Sequence, residues 1–146
     1  MIATFDGKYA FLSNYFSSPI TFDGITFPTV ENWFQAWKTK NPAEFRAIAI
    51  ADTPGKSKRM GRACALRKDW EEVKVDVMRD GLRLKFQDPA LRAKLLATGD
   101  EELIEGNTWH DRTWGRCVCD KCGGQGQNLL GQLLMELRDE IRNEEA

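Results

Sequence analysis

The clearest alternation of apolar and polar positions lies in Ile20-Thr21-Phe22 and Ile25-Thr26-Phe27, two runs joined by Asp23-Gly24. An Asp-Gly pair between β-prone segments predicts a tight antiparallel hairpin. Around it, residues 1–27 read as extended and turn-rich, with a second turn at Asp6-Gly7. Beyond Phe27 the period changes. Pro28 and Thr29 mark a start and a cap, and Trp33, Phe34 and Trp37 recur at spacings of three and four, which predicts a helix from Pro28 to Lys40 with a buried aromatic face. Asn41-Pro42, Thr53-Pro54 and Asp88-Pro89 each place a capping side chain before a proline, the pattern of a helix N-terminus. Asp69-Trp70-Glu71-Glu72 resembles a capping box ahead of the helical series Val73, Val77, Leu84 and Phe86. Leu91, Leu95 and Leu96 form a shorter helix that Thr98-Gly99 ends. Residues 103–114 are mixed and partly extended, and 115–127 read as a Gly- and Cys-rich loop. Asn128 is expected to cap a last helix with the stripe Leu130, Leu133, Leu134, Leu137 and Ile141. No repeat, linker or low-complexity segment interrupts the series. The fold class is therefore mainly α (α+β): a single-domain helical bundle over residues 1–146 with a small N-terminal antiparallel β element.

Composition narrows the function classes. A net charge of −1 provides no global basic field for non-specific nucleic-acid binding. No apolar run approaches the roughly 18 residues of a membrane span, and Met1-Ile2-Ala3-Thr4-Phe5-Asp6 lacks the charged and apolar regions of a signal peptide, so a cytoplasmic location with no membrane partner is expected. Four cysteines, three of them clustered, do not make a secreted disulfide framework.

Four groups of residues carry candidate chemistry. Glu31 and Lys38 are seven residues apart; on one helix they project from the same side, about 10 Å apart along its axis. A carboxylate and an amine so placed can face one ligand, although an amphipathic core helix with two surface charges gives the same pattern. Ser13 and Asn14 put hydrogen-bonding groups among Phe11, Tyr15 and Phe16, which suits either a stacked flat ring or a core loop whose Asn satisfies the local backbone. Lys56, Lys58, Arg59 and Arg62 make a local basic cluster, read as a phosphate contact or a solvated helix face. Cys117, Cys119 and Cys122 offer three thiolates within six residues, with His110, the chain's one histidine, as a fourth ligand. Zinc wants four such donors, but the match to paired Cys-x-x-Cys motifs is incomplete, so structural zinc, unligated reduced thiols and redox pairing all stand.

The order of several motifs resembles the NADAR (YbiA-like) family. They are Phe11-Leu12-Ser13-Asn14; Phe27-Pro28-Thr29-Val30-Glu31 with Gln35 and Lys38; Gly61-Arg62; Trp70 ahead of Met78; Lys85-Phe86; Leu95-Leu96-Ala97-Thr98-Gly99; Asp111 with Trp114-Gly115; and Gly126-Gln127-Asn128-Leu129-Leu130-Gly131 through Leu134-Met135 and Arg138. The resemblance runs from about residue 5 to residue 142. It implies a hydrolase of N-glycosidic bonds in ribosylated substrates, either ADP-ribose attached to guanine bases, free or in nucleic acid, or phosphorylated ribosylamino-pyrimidine intermediates of riboflavin synthesis. The cysteine cluster departs from the shortest family members, so a metal role there rests on spacing alone.

The resemblance also implies residue roles. Glu31 matches the family's motif glutamate, suited to stabilising an oxocarbenium-like centre or handling protons. Lys38 matches the motif lysine, an amine able to open the ribose through a Schiff base. Asp111 is a second candidate carboxylate. Trp114 or Phe11 is a stacking surface, Asn14 and Asn128 are base or ribose contacts, Lys58 with Arg62 is a phosphate anchor, and Ser13, Trp70 and Gly115 are further substrate-binding candidates. No cofactor is required for this chemistry. Two other classes remain compatible with the motifs: a non-catalytic ADP-ribose or nucleotide-binding module, and a zinc-stabilised interaction domain. The oligomeric state is left open.

Overall fold

Four helices begin with the capping side chain that the sequence places there. In the computed structural model, which describes residues 1–145, Thr29 accepts from the Asn32 amide at the start of α1 (Val30–Ala36). Asn41 accepts from Glu44 at α2 (Pro42–Ala49), and Thr53 from Lys56 at α3 (Pro54–Ala63). Asp88 accepts from Ala90 and Leu91 at α5 (Pro89–Ala97). Each cap fills an amide that the helix itself cannot. The remaining helices are α4 (Trp70–Lys85) and α6 (Leu129–Glu145), with a 3-10 turn at Gly7–Leu12. The expected capping box at α4 is replaced: the Asp69 carboxylate is held by Arg67, at 2.6 and 3.0 Å. The hairpin is as expected, β1 (Ile20–Phe22) pairing antiparallel with β2 (Ile25–Phe27) through Asp23 and Gly24, both at positive φ. Mainly α with a small antiparallel element is thus the observed fold class. A two-residue parallel pair is added to it, β3 (Gly106–Asn107) with β4 (Arg116–Cys117).

The chain packs as two compact units, residues 14–85 and residues 1–13 with 86–146. In the first, α1 lies against α2, α3 and α4, and every one of its residues is buried. An aromatic chain surrounds it: Trp33 contacts Phe22, Phe27 and Trp37 edge-on at centroid distances of 5.3, 5.1 and 5.4 Å, and Trp37 meets Phe45 at 4.9 Å. Such edge contacts suit the ring quadrupoles. Gly81 lets α4 approach, since a Cβ there would lie 2.6 Å from the Trp33 ring. The Trp33 indole donates to the Val77 carbonyl at 2.9 Å. In the second unit, the predicted stripe of α6 is buried, together with Leu91, Leu95 and Leu103. Ile2 bridges to Leu103. Asn128 does not cap α6 with its side chain. Its backbone takes a positive φ, and its amide accepts from Glu105 N–H and donates to the Leu103 carbonyl, pinning the incoming strand instead. No helix among the described residues is long and apolar enough to cross a membrane.

Lys85 ends α4 with only 2% of its surface exposed, its Nζ 5.6 Å from the Phe16 ring centre. Burial pushes its amine down to about 7 from the usual lysine range. Between that value and 10.5 the unfolded chain binds more protons at this position than the folded one, so the Lys85 contribution to stability rises with pH across that window. Unfolding free energies of the protein and of Lys85→Met, measured in urea from pH 7 to pH 9, should show the unsubstituted chain gaining on the variant by up to about 1.4 kcal/mol per pH unit. A difference that stays flat over this interval would refute the shift.

Candidate functional site

The predicted helix from Pro28 to Lys40 is about half as long as expected. Asn41 is held extended before Pro42, which disfavours helical backbone at the residue preceding it. The chain tightens before that point: Lys38 N–H bonds to the Gln35 carbonyl and Thr39 N–H to the Ala36 carbonyl, three residues back. Glu31 therefore sits in the first turn of α1, while Lys38 lies just past its end, in a turn fixed by the Arg67 N–H bond to the Lys38 carbonyl at 2.7 Å. The geometry that brings the two together is a helix and its closing turn, not a single helical face.

The Glu31 side chain is buried. Its Oε1 accepts from Gln35 Nε2 at 2.9 Å, and its backbone N–H bonds to the Asn14 carbonyl. Gln35 is in turn packed under Gly61, where any Cβ would collide with its side chain. That glycine is what lets α3 close on α1. The Lys38 amine lies 5.6 Å from the Phe34 ring centre and 6.0 Å from that of Trp70, and these two rings meet edge-on at 5.0 Å.

The charges around Lys38 pull in opposite directions. Burial lowers its affinity for a proton; Glu31 and then Cys64 oppose this, and Arg62 and Lys58 reinforce it. Burial prevails, and the amine loses its proton more readily than an ordinary lysine. Tyr15 belongs to the same neighbourhood. Its phenol is raised by burial and by Glu31, against Arg62 and Arg59. The Cys64 thiol is raised by burial and by Glu44, with Lys38 opposing. The Asn14 amide donates to Met78 Sδ at 3.5 Å, and its buried Oδ1 has no partner within the protein.

Unit 14–85 thus brings together Glu31, Lys38, Asn14, Lys58, Arg62 and Trp70 from the residues expected of the site. Arg59, named from the sequence as part of the basic cluster, adjoins them, while Tyr15 and Cys64 were missed. Tyr15 adjoins the chosen Asn14; nothing local in the sequence marks Cys64. A groove of about 530 Å³ bordered by Phe22, Trp33, Trp37, Val77 and Leu84 has neither Glu31 nor Lys38 in its walls.

The other expected residues belong to the second unit. Asp111 Oδ1 accepts from the Thr113 and Trp114 amides at 3.1 and 2.9 Å, an Asx turn that shapes its own loop. Gly115 is buried, and a Cβ there would run into Glu105. Trp114 and Ser13 are half-buried, and Asn128 is fully committed to backbone groups. Phe11 is buried with Lys94 Nζ 5.7 Å from its ring centre. Cys117, Cys119, Cys122 and His110 converge, with one ligand atom from each lying within 4.8 Å of the others.

Known proteins match both the sequence and the fold. A family model described as NADAR domain covers residues 3–142. "N-glycosidase YbiA" of Escherichia coli strain K12 is 45% identical over 136 residues, spanning 91% of this chain and 82% of that protein. A "riboflavin biosynthesis protein" of Vibrio vulnificus is 35% identical over 140 residues, 94% of this chain but 37% of the longer relative. The solution structure of E. coli YbiA superposes with a TM-score of 0.82 at 40% identity, covering 99% of this chain and 89% of that one. With the family model spanning nearly the whole sequence and the fold shared with a solved relative, the chain belongs to the NADAR domain family.

Proposed function

We propose that this protein is an N-glycosidase that hydrolyses the bond between a ribose and a nitrogenous base, with Lys38 as nucleophile and Glu31 as proton carrier. The observation that carries the reading is the Lys38 amine, half-buried beside the Phe34 and Trp70 rings and under the influence of Glu31, with burial outweighing the carboxylate. The names of the YbiA relative and of the riboflavin biosynthesis relative support the reaction class and one substrate class. The substrates proposed are ADP-ribose on guanine and phosphorylated ribosylamino-pyrimidines, which share a ribose N-glycoside and phosphates.

The neutral Lys38 amine attacks the anomeric carbon as the bond to the base breaks, and the electron pair leaves with the base nitrogen. Glu31 accepts the proton released at Nζ and delivers it to the departing base. The lysine adduct then opens the ribose ring to an imine. Water adds to the imine, and its hydrolysis restores the amine and releases the sugar. Lys58 and Arg62, one helical turn apart on α3, hold the phosphate, with Arg59 beside them. The unpartnered Asn14 Oδ1 accepts from the base or ribose. The reaction assigns no role to Asp111, Phe11, Ser13, Trp114, Gly115 or Asn128, and it needs no redox cofactor.

Borohydride added during turnover should trap the imine, and mass spectrometry should place a ribose-containing mass on Lys38. Lys38→Arg keeps the charge and should abolish trapping. Active enzyme that yields no adduct, together with substantial turnover by Lys38→Arg, would leave direct attack by water as the mechanism.

Glu31→Gln should fold normally and lose about 2–4 kcal/mol of transition-state stabilisation. It also removes the group that most raises the Lys38 proton affinity, so the acid limb of its residual kcat/KM profile should move to lower pH. Near-normal turnover, or an acid limb that does not move, would remove Glu31 from the site.

Neutralising Lys58 or Arg62 should raise KM more than it lowers kcat, because a phosphate contact exists in ground and transition states alike. Both cations lower the Lys38 proton affinity, so their loss should shift the acid limb upward, opposite to Glu31→Gln. Equal losses on phosphorylated and dephosphorylated substrates would mark them as structural.

A further inference from the structure

The segment between β3 and α6 contains a cluster that the proposed reaction does not use. His110 stands at φ 68°, backbone that residues other than glycine rarely adopt. Its Nδ1 is thereby placed 3.4 Å from Cys122 Sγ, 3.5 Å from Cys119 Sγ and 3.7 Å from Cys117 Sγ. Bonds of about 2.05 Å to nitrogen and about 2.3 Å to sulfur, at the tetrahedral angle, separate the two donors by about 3.6 Å. The three observed distances bracket that value. One histidine nitrogen equidistant from three sulfurs is one vertex of a tetrahedron of which the sulfurs are the base, and all four atoms lie within 4.8 Å of one another.

The backbone around the sulfurs is built for the same arrangement. Cys122 N–H donates to Cys119 Sγ at 3.4 Å, a bond that favours thiolate over thiol as acceptor. Gly123 and Gly124, both at positive φ, turn the chain back at once, and their amides bond to the Cys119 and Cys117 carbonyls at 2.9 and 2.7 Å. Cys117 also receives Gln125 in an isolated bridge. Cys117 and Cys122 are buried, Cys119 is half-buried and His110 is exposed.

We propose that His110, Cys117, Cys119 and Cys122 bind one zinc ion as a closed, structural site. Three soft thiolates with an imidazole select zinc over the hard divalent cations, and four protein donors leave no position for substrate or water. Binding exchanges the three thiol protons for the dication and leaves one net negative charge at the site. The ion replaces a hydrophobic core in residues 106–128, a stretch with little regular structure, and so fixes the loop that carries Asp111, Trp114 and Gly115. The site stands independently of the proposed glycosidase mechanism.

Protein purified under reducing conditions from zinc-supplemented medium should contain about one equivalent of zinc. Metal-free protein titrated with Co²⁺ should develop thiolate-to-cobalt charge-transfer absorption, which reports sulfur ligation without reference to activity. Cys119→Ser and His110→Gln should each weaken cobalt binding by more than about tenfold. Cys64→Ser, outside the cluster, should leave it unchanged. Stripping the metal should lower Tm and speed amide exchange across residues 106–128. The proposal is overturned if protein with all four thiols titratable takes up neither zinc nor cobalt, or if uptake is indifferent to Cys119→Ser and His110→Gln. Finding two of the four thiols oxidised in freshly purified protein would also overturn it, in favour of a disulfide.

Discussion

A seven-residue helix with every side chain buried must satisfy its polar groups inside the protein, and much of unit 14–85 follows from how α1 does so. Asn32 solves it with backbone: its amide donates to the Ile48 and Ala51 carbonyls, and its Oδ1 accepts from the Thr29 hydroxyl. That ties α1 to the end of α2 and to its own cap. Gln35 and Glu31 solve it with each other. Their pairing fixes the Glu31 carboxylate in place, and a positioned carboxylate is useful to a reaction that moves protons. The aromatic face of the same helix pays for the buried polar side. Trp33, Phe34 and the rings around them supply the apolar burial that keeps these groups dry.

The turn at Lys38 converts that packing into an electrostatic setting. A continuing helix would carry the lysine on toward Lys40. The stop imposed by Asn41-Pro42, with Arg67 bonded to the Lys38 carbonyl, keeps the side chain against Phe34 and Trp70. Cations on α3 and burial then act together against the Glu31 anion. The same α3 cations that suit a phosphate also favour a neutral amine next door. In the proposed reaction, a substrate phosphate bound there would screen the cations and partly restore the lysine's proton affinity, which would couple binding and nucleophile activation with opposite signs.

The helix starts were legible because they are local chemistry: Thr29, Asn41, Thr53 and Asp88 each bond an amide two or three residues away. Asp23-Gly24 was legible for the same reason. Asn128 and Asp69 misled because each has a non-local or competing partner, Leu103 and Glu105 for the first and Arg67 for the second, which no periodicity reveals. The β3–β4 pair, two residues long and parallel, lies below any alternation signal. Glu31 and Lys38 were chosen through motif and spacing, but the reason they neighbour each other is a turn rather than a helical period. Tyr15 and Cys64 enter through the fold alone. The histidine–cysteine cluster was legible as a set of candidates, the three cysteines by spacing and His110 as the chain's one histidine; that His110 reaches all three sulfurs depends on a left-handed backbone that brings it back over them.

Lys38 and Lys85 together show why a displaced proton affinity does not by itself make a nucleophile. Both lysines belong to the same unit, and burial lowers both. Lys85 is the more strongly affected, pushed down to about 7, and burial is the sole cause. With 2% of its surface exposed its amine offers no approach for a sugar. Lys38 is half-buried, and four neighbouring ionisable groups adjust it in both directions. An amine that must attack, become cationic and be released again needs access and a nearby proton acceptor more than it needs the deepest burial. Of the two, only Lys38 combines those conditions.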